Sequence, residues 1–126
     1  MGAGITLWIR PGAKDSTDAQ SFLKANRYAA DTVRDLAEAP PRGPELDSLA
    51  KGLGGDHWPL VDLRHPRYGD LLPRGAEGLA PGDLKALLET HPALLKEPLL
   101  LTPKGALAGF RESKWRAFLD IGKGRN

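Results

Sequence analysis

The sequence has no cysteine among its 126 residues. Disulfides, thiol catalysis and thiolate metal sites are therefore excluded. The three histidines, His57, His65 and His91, lack the spacing of a metal-binding pair. We expect them to be surface or capping residues and expect no cofactor. No apolar run approaches the roughly 20 residues that span a bilayer, and no signal peptide is visible. We therefore expect a cytoplasmic protein without a membrane partner.

The charge is nearly balanced, since 18 basic and 16 acidic residues give a net charge of +2. The surplus lies at residues 111–126, which hold five basic and two acidic residues. Nucleic-acid binding usually requires a clustered basic face. A solvated helix face with a frayed end accounts for this short segment, so no nucleic-acid partner is expected.

The strongest structural signal is a hairpin between residues 94 and 110. Leu99–Leu101 is a continuous apolar run, which is typical of a strand that is covered on both faces. Pro103–Gly105 supplies turn residues, and Ala106–Phe110 then returns as a second strand. Pro98 stands where the first strand begins, so its missing N–H breaks no ladder bond.

A β-α-β unit is predicted for residues 1–36. Apolar spacing and turn residues indicate a strand at Ile5–Ile9, a helix capped by Asp15 or Ser16, and a strand at Asp31–Leu36. Ala19, Phe22 and Leu23 have the i, i+3, i+4 spacing of an amphipathic helix. In the second strand we expect Val33 to face inward and Arg34 to face outward.

A mainly helical insert is predicted for residues 45–96, followed by the hairpin and a last helix in residues 97–121. The insert begins with a helix that contains Leu46, Leu49 and Leu53, followed by a short helical turn at Trp58–Leu63. An exposed loop is predicted at Pro73–Gly82. The insert ends with a helix at Asp83–Thr90 that has Leu84, Leu87 and Leu88 on one face. The last helix, Glu112–Ile121, should bury Trp115, Phe118 and Leu119. This order predicts one α/β (α+β) domain over residues 1–126, with a thioredoxin-like fold and a four-stranded mixed sheet flanked by helices.

The sequence resembles the arsenate reductase and Spx-type proteins of bacteria. The resemblance covers nearly the whole chain and is strongest in His91-Pro92-Ala93-Leu94-Leu95, Glu97-Pro98-Leu99-Leu100-Leu101-Thr102, Lys104-Gly105 and Gly109. Pro40-Pro41 after the second strand also fits this family. Val33-Arg34-Asp35-Leu36 and Ala108-Gly109-Phe110 look closest to a branch that is described as nitrogenase-associated.

Two departures from the family pattern concern its chemistry. The family has an Asn-Pro-x-Cys loop after the first strand, and here that loop is Arg10-Pro11-Gly12-Ala13, with Ala13 at the cysteine position. A methyl group can neither attack arsenate nor form a mixed disulfide. The arginine that precedes the strand-opening proline is replaced by Glu97, and a glutamate repels an oxyanion.

The resemblance also implies a binding region. It implies that the peptide bond between Glu97 and Pro98 is cis. Arg64 and Arg111 match two other positions at which the family has an arginine. We hypothesise that Glu97 fills the former anion site from inside and pairs with Arg10, Lys14 or Arg64; the alternative is that Glu97 is an ordinary surface residue. The predicted binding residues are Arg10, Lys14, Arg64, Glu97, Pro98 and Arg111, with none assigned to catalysis.

The resemblance favours a non-catalytic protein that acts as a binding or regulatory module. Spx-type relatives act by contacting RNA polymerase, which is therefore the expected partner class, and Trp8, Trp58 and Tyr68 are candidate contact aromatics. The alternative is a thiol-independent reductase or a glutathione-dependent transferase. Such an enzyme would need Ser16 or Thr17 as nucleophile, and no activating base can be assigned to either from the sequence.

Overall fold

The structure, a computed structural model, describes residues 4–62 and 81–119. A four-stranded sheet has the order β2-β1-β3-β4. The strands are β1 (Thr6–Ile9), β2 (Thr32–Asp35), β3 (Leu99–Thr102) and β4 (Gly105–Ala108), and the helices are α1 (Lys14–Ala25), α2 (Gly43–Gly52), α3 (Pro81–Thr90) and α4 (Glu112–Phe118). Two short 3-10 segments, Trp58–Leu60 and Pro92–Leu94, lie between α2 and β3. Among these residues, no helix has the length and apolar character needed to cross a membrane.

The sheet is mixed, as the sequence predicted. β1 is parallel to β2 and antiparallel to β3, and β3 is antiparallel to β4. The predicted hairpin is confirmed, because Thr102 pairs with Gly105 across the turn at Pro103-Lys104. β2 and β4 therefore form the two edges of the sheet.

Each face of the sheet carries its own hydrophobic core. Trp8 of β1 and Leu99 of β3 point into a core that is completed by α2, α3 and the 3-10 segments. Leu7 and Leu100, the next residues along those strands, point into a second core formed with α1 and α4. Because successive side chains of a strand alternate between faces, the continuous apolar runs serve both cores at once.

The predicted orientation of β2 was wrong. Val33 is 51% exposed, whereas the Arg34 guanidinium lies 5.1 Å from the centre of the buried Trp8 ring. Arg34 also donates hydrogen bonds to the carbonyls of Ala39 and Pro40 and pairs with Glu45. Arginine can cover an aromatic ring with its stem and plane while its N–H groups remain satisfied. On an edge strand, this arrangement outweighs the simple alternation of apolar and polar residues.

Two helix boundaries also differ from the prediction. α1 begins at Lys14 with Ala13 in the N-cap position, so neither Asp15 nor Ser16 caps it. α4 ends at Phe118 within the described residues; Trp115 and Leu119 are buried as predicted, but Phe118 is only half-buried. Phe118 contacts Lys104, whose ammonium lies 5.9 Å from the ring centre, and so covers the outside of the hairpin turn.

The helical insert is confirmed where it is described. Leu46 and Leu49 of α2 and Leu84 and Leu88 of α3 are buried in the first core, while Leu53 and Leu87 are partly buried against it. The turn predicted at Trp58–Leu63 forms at Trp58–Leu60. Pro81 and Gly82 belong to α3 rather than to the predicted loop, and the rest of that loop lies outside the described residues.

Candidate functional site

The loop between β1 and α1 holds Ala13 at the start of a helix. The amide of Ala13 donates to the carbonyl of Arg10 at 3.0 Å, and its own carbonyl accepts from the amide of Thr17 at 3.0 Å. Gly12 has φ +85°, a conformation that favours glycine and allows the tight entry into α1. A side chain at position 13 therefore stands at the positive end of a 12-residue helix, where a thiol would be activated and where this chain has only a methyl group.

The peptide bond between Glu97 and Pro98 is cis, as the resemblance implied. Pro98 is buried, and its carbonyl accepts a hydrogen bond of 2.8 Å from the amide of Gly109. This bond continues the pairing of β3 with β4 by one residue pair. The start of β3 is thereby fixed against the end of β4, and Glu97 is held just outside the sheet.

Glu97 is joined to Ser16, a pairing that the sequence did not reveal. The Ser16 hydroxyl donates to the Glu97 carboxylate and accepts a hydrogen bond of 2.9 Å from the amide of Arg10. Ser16 is 1% exposed, so its hydroxyl is enclosed by the two groups that it joins. The interaction spans 81 residues of sequence, and the only sequence signal for it is a polar residue at a position that the helix period places on the buried face.

The predicted ion pair of Glu97 with Arg10 or Lys14 was wrong. The Arg10 guanidinium donates to the Leu95 carbonyl at 3.1 Å instead. The Lys14 ammonium is paired with the Asp18 carboxylate at 2.7 Å, and that hydrogen bond raises the pKa of Lys14. Lys14 has a partner one helical turn away, Arg10 has a partner on the segment before β3, and the buried Ser16 hydroxyl satisfies the Glu97 carboxylate. The third predicted partner, Arg64, lies outside the described residues.

A cleft of about 600 Å³ opens beside Glu97. Its floor includes Trp115, whose indole N–H donates to the Gly109 carbonyl at 3.0 Å. Glu97 and Arg111 both line the cleft, so the structure brings these two predicted binding residues together, whereas Arg10, Lys14 and Pro98 are not part of its lining. The complete lining is Asp15, Asp62, Lys96, Glu97, Leu107, Ala108, Gly109, Phe110, Arg111, Lys114 and Trp115.

The candidate nucleophiles and the candidate contact aromatics differ in how deeply they are buried. The Ser16 hydroxyl is buried and engaged, while Thr17 is exposed on α1. Trp8 is fully buried, so it packs in the core and is not a contact residue. Trp58 is partly buried against the first core, and Tyr68 lies outside the described residues.

The histidines show no shared site within the described residues. His57 is largely buried and its Nε2 lies 3.4 Å from Asp47 Oδ1, while His91 occupies the backbone N-cap position of a 3-10 segment. His65 lies outside the described residues. Within residues 4–62 and 81–119, no three potential metal-binding side chains are grouped together.

No protein-family model matches the chain. Its sequence is similar to the global transcriptional regulator Spx of Streptococcus pneumoniae, with 24% identity over 115 residues that cover 91% of this chain and 85% of Spx.

The fold matches solved structures closely. A structure described as related to the ArsC family, from Bacteroides fragilis, superposes with a TM-score of 0.80 at 20% identity and covers 94% of this chain and 99% of its own. An arsenate reductase from Vibrio cholerae superposes with a TM-score of 0.75 at 19% identity and covers 97% of this chain and all of its own. These matches confirm the thioredoxin-like α/β fold. The chain is therefore similar in sequence to Spx, and similar in fold to structures described as an arsenate reductase or as related to the ArsC family.

Proposed function

We propose that this protein is a non-catalytic member of the arsenate reductase and Spx-type family and acts as a protein-binding regulatory module in the bacterial cytoplasm. The observation that carries the proposal is the pair of substitutions at one site. Ala13 occupies the helix N-terminus where relatives carry a cysteine, and Glu97 stands beside the cleft where they carry an arginine. The first change removes the nucleophile, and the second replaces an attractive charge by a repulsive one.

The electrostatic effect of Glu97 is large for an oxyanion. Two unit charges about 4 Å apart interact by ~4 kcal/mol at an intermediate dielectric constant, and replacing arginine by glutamate reverses the sign of that interaction. Glu97 is half-buried and held in place by Ser16, which limits its ability to turn away from a bound anion. The site therefore disfavours arsenate in addition to lacking the thiol that would reduce it.

The alternative function, a thiol-independent reductase or glutathione-dependent transferase, has one supporting feature. The Ser16 hydroxyl donates to a carboxylate, as an activated nucleophile would. However, Ser16 is 1% exposed and also accepts the amide hydrogen of Arg10, so its hydroxyl is enclosed and is not open to a substrate. The contact is better explained as a structural bond between α1 and the segment before β3.

The proposed partner class is RNA polymerase. The chain is similar in sequence to a global transcriptional regulator. The resemblance to Spx-type proteins found in the sequence implies RNA polymerase as the partner. Purified bacterial RNA polymerase immobilised on a biosensor should bind the full chain. An unrelated protein of similar size, measured on the same sensor, should not bind. The likeness to the nitrogenase-associated branch remains a prediction, and binding to nitrogenase components can be measured on the same sensor.

The non-catalytic assignment is tested by an arsenate reduction assay with glutathione or a thioredoxin system. We expect no turnover above the no-protein background. The variant Ala13→Cys should remain inactive or nearly so because Glu97 still repels the oxyanion, whereas Ala13→Cys with Glu97→Arg should gain arsenate-dependent turnover. Turnover by the unchanged chain that is lost in Ser16→Ala would establish the enzymatic alternative instead.

A further inference from the structure

We draw no further inference here: the strongest candidate, the outer edge of strand β2 around the exposed Val33, is an unpartnered sheet edge, and nothing in the structure of the described residues shows what covers it.

Discussion

Ser16 provides the Glu97 carboxylate with a hydrogen-bond donor, in place of the cation that the sequence predicted. It bridges the Arg10 amide and the Glu97 carboxylate while buried, and it thereby ties the β1–α1 loop to the segment before β3. Sequence reasoning located both Ser16 and Glu97 but did not join them. Local patterns assign residues to elements, whereas the pairing of positions so far apart is set by how those elements pack.

The Ser16→Ala substitution should therefore destabilise the protein. It leaves a half-buried carboxylate and a backbone amide without their partner, which costs about 1–3 kcal/mol in the free energy of unfolding. Urea unfolding measures the change, and Ser21→Ala at an exposed position of the same helix is the control. A loss no larger than that of the control would show that the bond contributes nothing net to stability.

The strands and the hairpin could be predicted from sequence because their apolar runs are continuous and bounded by turn residues. The orientation of β2 could not, since the Trp8 ring that attracts Arg34 lies on the neighbouring strand. The start of α1 was misplaced for a similar reason: the hydroxyl that suits an N-cap is used by Glu97 instead. In the candidate site, the Ala13 and Glu97 substitutions were visible in the sequence, whereas the cleft that brings Glu97 and Arg111 together required the fold.

The contact of α2 with β4 depends on the absence of a side chain at Gly52. A Cβ added there would lie 2.6 Å from the Ala106 nitrogen and 2.8 Å from its Cβ, and these backbone-anchored atoms cannot turn away. Gly52→Ala should push α2 off the hairpin and lower the free energy of unfolding by about 1–3 kcal/mol.

Gly82→Ala is the matched control for that change. Gly82 also lies in a helix, and a Cβ there meets no described atom within 4 Å. Alanine should stabilise this position by up to about 1 kcal/mol, because glycine loses more backbone freedom on folding. Thermal unfolding of both variants should give shifts of opposite sign, and two shifts of the same sign would contradict the packing argument.

α2 is also tied to α3 by charge. The Lys85 ammonium lies 2.9 Å from the Asp47 carboxylate, and this hydrogen bond lowers the pKa of Asp47, with a smaller effect from His57. A carboxyl group whose pKa is lower in the folded state stabilises that state above its unfolded pKa of about 3.9, and the contribution is lost as the pH falls through the folded pKa.

The variant Asp47→Asn should consequently be less stable than the parent protein at neutral pH. The difference in the free energy of unfolding should shrink as the pH falls below about 4, because protonation removes the same charge from the parent. Urea unfolding across this range measures the difference, and Glu38→Gln, at an exposed position, controls for a general charge effect. A difference that stays constant with pH would exclude the Asp47–Lys85 pair as its source.

The whole molecule is organised around a sheet that serves two cores. Trp8 reports on the core shared with α2 and α3, and Trp115 reports on the opposite core, where it packs edge-on against Phe110 at 5.2 Å. Because adjacent residues of β1 and β3 point into different cores, neither core can be lost while the sheet remains intact. The two faces are therefore expected to unfold together.

Variants with a single tryptophan test this expectation. Trp58→Phe with Trp115→Phe leaves Trp8, and Trp8→Phe with Trp58→Phe leaves Trp115, so fluorescence then reports on one core at a time. Within each variant, the urea midpoint from fluorescence should coincide with that from circular dichroism, which follows the helices and the sheet as a whole. Comparing two probes within one variant removes the effect of the substitutions on stability. A fluorescence transition that precedes the circular dichroism transition in one variant alone would mean that this core opens independently, and the sheet would then not couple the Ala13 side of the molecule to the α2–α3 side.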